Sequence, residues 1–468
     1  MGSFEEFQER MFPEEKTQVS DYASENFVKS SRVLYESDIL NFQDAGMVDA
    51  HYAEVWKRNL AQYGKICDHV GDDVLILGST ERRIQSLDDL VTLPLSGWNV
   101  FSIVGKAGCG KSVLGSFLAE QMYYFTSTPT LFHDRANEFF YHKYSQKNPV
   151  ILKNLYSLGF EAMGMREVSK DHPGGLLTIS PYFLNMPYAD VQWGISLEDL
   201  YALGTVGGKT MFQKFLGADM ATDDVSDAYL RTIKELYRHQ PHSFDEIMQE
   251  LDKYNERLHE EKKASNISRS LSLFLEDLHD EGIFIRGQSI DIAEILSNHI
   301  NVDFITVKGA VDNHELECYE SYLASLVYEC SKPFAYRGFP NICEVFEEAD
   351  IIFRSRNATL KKLLTDKILK QRKEGNSAMF VTQDVTFFPD YLLLNSKAIL
   401  TTKPTSDKAM TQIAMKNPTE DVAYRLQMLD EPEKPLMPQW AVITEYGMET
   451  FYTLGSFGAT HEVKQRQA

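Results

Sequence analysis

Eight consecutive residues, Gly105-Lys106-Ala107-Gly108-Cys109-Gly110-Lys111-Ser112, have the spacing of a loop that wraps phosphate. Its three glycines let the backbone turn tightly and aim its N–H groups inward. A helix starting at this point, through Ser112 and Val113, adds the positive end of its dipole. In such a loop Lys111 reaches the β- and γ-phosphates of a nucleotide, and the Ser112 hydroxyl ligates Mg²⁺.

Cutting a phosphoanhydride needs more than a cradle. It needs a carboxylate beside the metal and an acid that polarises water. Glu347 and Glu348 follow the apolar run 341–346 and supply both: Glu348 as the catalytic acid, Glu347 on the metal side, where an Asp is usual. Gln383 closes the apolar run 378–382, and its amide can sense a γ-phosphate or hold the attacking water. Arg372 lies one long helix beyond the acids. A guanidinium carried into a neighbour's site would act as an arginine finger in trans, a role for which Arg354 and Arg356 compete. The plainer readings are a solvated acidic pair at a strand end and a capping amide.

Positive charge gathers in one place. Between 354 and 373 stand Arg354, Arg356, Lys361, Lys362, Lys367, Lys370, Arg372 and Lys373, against Asp366 alone. Such a stripe can hold a polyanion, with Lys361, Lys362 and Lys367 as candidate DNA contacts, or it is simply a solvated helix face.

These groups need elements to hold them. The β-branched, apolar run 98–104 predicts a strand into the loop, and Val113, Leu114, Phe117 and Leu118 predict a helix out of it. Further strands are expected at 130–134, 176–183, 300–308, 341–346, 378–383 and 398–402. A hairpin is expected around Tyr446-Gly447. Between 196 and 299 the pattern is helical with acidic faces, and further helices are expected at 314–332 and 355–373. The alternation predicts an α/β fold whose core is interrupted by a helical insertion. The expected divisions are a helical N-terminal region at 1–71, a first core part at 72–190, the insertion at 191–299, a second core part at 300–455 and a tail at 456–468.

The order of motifs resembles the HerA/FtsK superfamily of ring ATPases, closest to the HerA branch with its conjugation-type and viral packaging members. The resemblance rests on the loop 105–112, Asp134 and Glu138-Phe139 as D-x-x-x-E-F, Glu347-Glu348-Ala349-Asp350 in the place of D-E-A-H, the basic helix ending at Arg372, and Thr382-Gln383. It covers roughly 74–145 and 300–405, with weaker echoes near 439–463. It implies a RecA-like P-loop NTPase core, ATP with Mg²⁺, a homo-oligomer (a hexamer) with sites at subunit interfaces, and movement along double-stranded DNA. It also implies roles for Asp134 and Glu138 near the nucleotide or an interface. Three departures stand out: Glu347 for Asp, Asp350 for His, and a helical N-terminus unlike HerA's β-barrel. The last suggests a different docking partner, such as a nuclease, a capsid or a membrane complex.

Composition narrows the classes. With 43% hydrophobic residues and a formal net charge of −21, the chain reads as globular and acidic, which excludes a broadly basic nucleic-acid surface. No run suits a membrane span and the start lacks an apolar leader, so a cytoplasmic location is expected. The cysteines, Cys67, Cys109, Cys318, Cys330 and Cys343, form no C-x-x-C pair and read as reduced thiols. The leading expectation is an ATP-driven motor for double-stranded DNA, serving packaging, conjugative transfer or DNA processing. The alternatives are a secretion-type ATPase that moves or remodels protein, which the acidic charge suits, and a nucleotide-dependent scaffold.

Overall fold

The computed structural model describes residues 33–95, 99–135, 139–166, 175–181, most of 184–200 and 231–260, then 267–280, 292–305, 341–354, 376–430 and 438–459, with isolated positions such as 361 and 365. Of the helical stretch expected between 196 and 299, residues 201–230 lie outside these residues, as do nearly all of 314–332 and 355–373.

The strands are β1 (Val74–Ser79), β2 (Leu90–Pro94), β3 (Val100–Val104), β4 (Thr130–Asp134), β5 (Gly175–Pro181), β6 (Val191–Trp193), β7 (Ile300–Ile305), β8 (Cys343–Phe346), β9 (Ser377–Thr382), β10 (Ala398–Thr401), β11 (Trp440–Thr444) and β12 (Gly447–Thr453). They form one sheet in the order β2-β1-β12-β11-β10-β3-β9-β8-β4-β7-β5-β6. From β10 to β6 all pairings are parallel, and from β10 outward to β2 they are antiparallel. The parallel strands are buried throughout at the centre, as their unbroken apolar runs require. β6 lies just past the expected division at 190/191 and pairs with β5 through Ile179 and Val191.

The helices are α1 (Glu36–Asp44), α2 (Ala50–Val70), α3 (Lys111–Thr126), α4 (Pro149–Ser157), α5 (Phe244–Glu260), α6 (Ile267–Asp280), α7 (Ile292–Ser297), α8 (Ala349–Arg354), α9 (Asp390–Asn395), α10 (Asp407–Ala414) and α11 (Glu420–Gln427). Alternate residues of each strand point to opposite faces. Phe101, Ile103, Met379 and Val381 therefore join Leu114 and Phe117 of α3 on one side. Val100, Val104, Phe380 and Ile399 meet Ile352 of α8 and Ile413 of α10 on the other.

The helix that leaves the phosphate loop is covered on its outer side as well. Nearly every residue of α3 is buried, because α2 packs over it. Asp49 starts α2 by accepting from Tyr52 N at 2.7 Å, and Gly71 ends it at φ +84°. Trp56 is fully buried and donates its indole N–H to Tyr124 O at 2.6 Å, while Tyr63 donates to Val74 O at 2.6 Å. The N-terminal helices thus share one apolar cluster with the sheet.

The chain end also returns to α3. Glu120, inside the helix, accepts from Phe457 N at 2.7 Å and Gly458 N at 2.8 Å, and meets His142 Nδ1 at 2.9 Å. Residues 456–459, placed in the tail by the sequence, are buried there. A Cβ on Gly458 would stand 2.7 Å from Glu120 Oε1 and 3.2 Å from the His142 backbone, so a side chain here would displace the carboxylate that holds the chain end.

Candidate nucleotide site

The loop sits where β3 ends, between β9 and β10. Gly108 and Gly110 hold φ of +73° and +91°, in the left-handed region that glycine enters at little cost. Gly105 is required for another reason: a Cβ there would lie 2.6 Å from Cys109 Sγ and 2.8 Å from Thr402 Oγ1. Cys109 is buried under the loop, and burial pushes its thiol pKa up, as suits a packing group rather than a reactive one. Lys106, Ala107 and Gly108 are exposed along the rim. Lys111 is buried in the first turn of α3, its ammonium 3.3 Å from Lys106 O. Ser112 and Val113 are half-buried beside it.

Hydrogen bonds fix the loop to its flanking strands. Gly105 N donates to Thr382 O at 3.2 Å, and Thr402 N to Val104 O at 3.2 Å. Thr382 ends β9, so Gln383, exposed, leaves the sheet directly beside the loop. Gln383, Lys106, Thr402 and Lys403 line one pocket above these strand ends.

One strand further along, Glu347 and Glu348 form the turn after β8. Glu347 is buried and its N–H donates to His133 O on β4 at 3.2 Å. Glu348 N donates to Glu347 Oε2 at 3.3 Å. Glu348 has φ +47°, a left-handed backbone held by a residue with a full side chain. Such a conformation costs about 1–3 kcal/mol and persists only where its surroundings impose it. Here the buried Glu347 on one side and the start of α8 on the other impose it, with Ile351 N donating to Glu348 O at 2.9 Å.

Asp134 ends β4, one residue beyond the carbonyl that holds Glu347. It is fully buried and its Oδ2 accepts from Phe139 N at 2.9 Å, fixing the turn that follows. Burial first, and the Asp134 charge second, push the carboxyl of Asp303 on β7 well above the usual carboxylate range. Glu138, Arg372, Lys362 and Lys367 lie outside the described residues. Lys361 is half-buried and helical. Arg354 is engaged within the chain: it pairs with Asp350 at 3.0 Å and Asp384 at 3.5 Å, and its guanidinium lies 3.9 Å above the Phe387 ring.

The structure thus brings the loop, Lys111, Ser112, the Glu347–Glu348 turn and Gln383 to the C-terminal ends of three adjacent parallel strands, β3, β9 and β8. Sequence reasoning missed Thr382 and Asp350 as partners. Thr382 Oγ1 donates to Asp350 Oδ1 at 2.7 Å across 32 residues of chain, which no local pattern announces.

No protein-family model and no curated protein matches the chain. Among solved structures it is similar to VirB4 of Thermoanaerobacter pseudethanolicus, at 14% identity and a TM-score of 0.44 over 81% of this chain and 96% of that one. It is also similar to the bacterial conjugative coupling protein TrwBdeltaN70. The unbound monoclinic form gives 14% identity and a TM-score of 0.46, over 85% of this chain and 93% of that one. The trigonal form in complex with sulphate gives 11% and 0.45, over 85% and 94%. The loop strand β3 is flanked by β9 and β10, and β8, which leads into Glu347 and Glu348, lies beyond β9, so the centre of the sheet has the strand order of a RecA-like core.

Proposed function

We propose that this chain is an ATP-hydrolysing ring motor that moves double-stranded DNA, with each site completed by a neighbouring subunit. The observation that carries the reading is the bond from Gly105 N to Thr382 O, which sets Gln383 beside the phosphate loop while Glu348 waits one strand away.

The residues present fit a Mg²⁺–nucleotide. Gly110 has open space above it, Ser112 offers a hydroxyl in the first helical turn, and Glu347 brings a buried carboxylate, all hard oxygen or backbone donors suited to this ion and to phosphate. When bound, Mg²⁺ supplies neutralisation of the charge that builds on the phosphates. The N–H groups of 106–111 and the ammonium of Lys111 bind the phosphates and orient the γ-phosphate toward the strand ends. Glu348 takes a proton from the attacking water, and Gln383 holds that water or the γ-phosphate in line. Arg372 reaches a neighbour's site, Asp134 and Glu138 shape its border, and Lys361, Lys362 and Lys367 hold the DNA backbone.

The chemistry is tested with two variants. Lys111→Ala should lose nucleotide binding and hydrolysis together. Glu348→Gln should keep nucleotide binding and lose about 10²–10⁴-fold in turnover, as removal of a general base does. Turnover surviving in both variants would place the hydrolytic site elsewhere.

A further inference from the structure

The Asp that stands where the motif order expects His makes a contact on which the site's geometry depends. Asp350 is the second residue of α8 and is buried. Its Oδ1 accepts from Thr382 Oγ1 at 2.7 Å and its Oδ2 pairs with Arg354 at 3.0 Å. A buried carboxylate needs such partners, and charge-assisted bonds of this kind are short and directional.

Thr382 is engaged from three sides. Its hydroxyl donates to Asp350 and accepts from Asp384 N at 3.0 Å, and its carbonyl accepts from Gly105 N at 3.2 Å. The bond from Asp384 N closes a hydroxyl turn with Gln383 at its centre. Asp384 in turn caps the following turn, accepting from Thr386 N at 2.9 Å. One residue therefore touches Asp350, two residues after Glu348, and the turn that presents Gln383 through its side chain, and the phosphate loop through its backbone carbonyl.

We propose that Thr382 and Asp350 are positioning residues: their bond fixes Gln383 relative to Glu348, so that a γ-phosphate felt at one is registered at the other. This rests on the nucleotide-site reading above. Without the bond the Gln383 turn loses its fixed side-chain anchor, while the part of the loop that holds the α- and β-phosphates is untouched.

The test compares affinities of the full chain for a non-hydrolysable ATP analogue and for ADP, by calorimetry. Thr382→Val keeps the β-branched shape and removes the hydroxyl, Thr382→Ser restores it, and Asp350→Ala, which removes the accepting oxygen, serves as the second variant should Thr382→Val fail to fold. We expect Thr382→Val and Asp350→Ala to lower the preference for the triphosphate by about fivefold or more, with ADP affinity and Thr382→Ser each within about twofold of wild type. In a Gln383→Ala background Thr382→Val should cost nothing further, since both act on one contact. An unchanged preference in Thr382→Val, or full additivity with Gln383→Ala, would overturn the proposal. Nucleotide binding that survives Lys111→Ala would instead overturn the site reading on which it rests.

Discussion

At the scale of single residues, the site combines groups that sequence spacing finds with groups it does not. The glycines, Lys111 and Ser112 are read directly, because a phosphate loop needs those types at those intervals. Glu347-Glu348 and Gln383 are read from their place at strand ends. The left-handed backbone of Glu348 is not legible, since nothing in its neighbours favours φ +47°; the turn between β8 and α8 imposes it. This strain makes a prediction. Glu348→Ala keeps a Cβ and so keeps the strain, whereas Glu348→Gly relieves it. Glu348→Gly should be the more stable of the two by about 1 kcal/mol in chemical denaturation, with both lacking turnover. An alanine variant as stable as the glycine variant would mean that this backbone carries no strain. The Asp350–Thr382 bond is equally hidden, because it joins residues that meet only when β8 and β9 lie side by side.

At the scale of elements, the strands around the loop, the loop helix and the hairpin at 440–453 follow from apolar runs and turn residues, and they form where these predict. The order of strands does not follow from such patterns. β9 comes late in the chain yet lies between β3 and β8, and this long-range pairing is what places Gln383 next to the loop. The layer over α3 was not legible either. His299 shows why: it follows α7, yet it stacks on Tyr123 of α3 at 4.5 Å, on Phe42 of α1 at 5.0 Å and near Trp56 of α2 at 6.1 Å. Burial pushes its pKa from 6.5 down to about 3. The folded state therefore keeps this ring neutral while the unfolded chain takes up a proton below pH 6.5. The stabilisation is complete above pH 6.5 and is lost as pH falls from there toward 3, by up to about 1.4 kcal/mol per unit. Denaturation at pH 7.5 and pH 5 should show a smaller drop for His299→Phe than for wild type; equal drops would mean that the ring is not desolvated.

At the scale of the whole molecule, the acidic balance and the basic stripe pull against each other. A net charge of −21 disfavours general adsorption to nucleic acid, so the proposed hold on DNA requires a localised set of cations, for which residues 354–373 are the candidates. Of these, Arg354 pairs with Asp350 and Asp384, so the proposed hold rests on the others of the set, Arg356, Arg372 and the lysines. Among the described residues no helix is long and apolar enough to cross a membrane. At the ends of the central strands Gln383 and Lys106 are exposed, which the proposed closure by a neighbour requires. The proposed motor requires that DNA at the stripe changes hydrolysis at the nucleotide site. The most direct measurement of this is the rate of ATP hydrolysis by the purified full chain at low salt, with and without long double-stranded DNA. A DNA motor should be stimulated about threefold or more, with the effect fading as salt rises, because each phosphate contact releases counterions. A Lys111-dependent rate that DNA leaves unchanged would contradict it and favour a secretion-type ATPase.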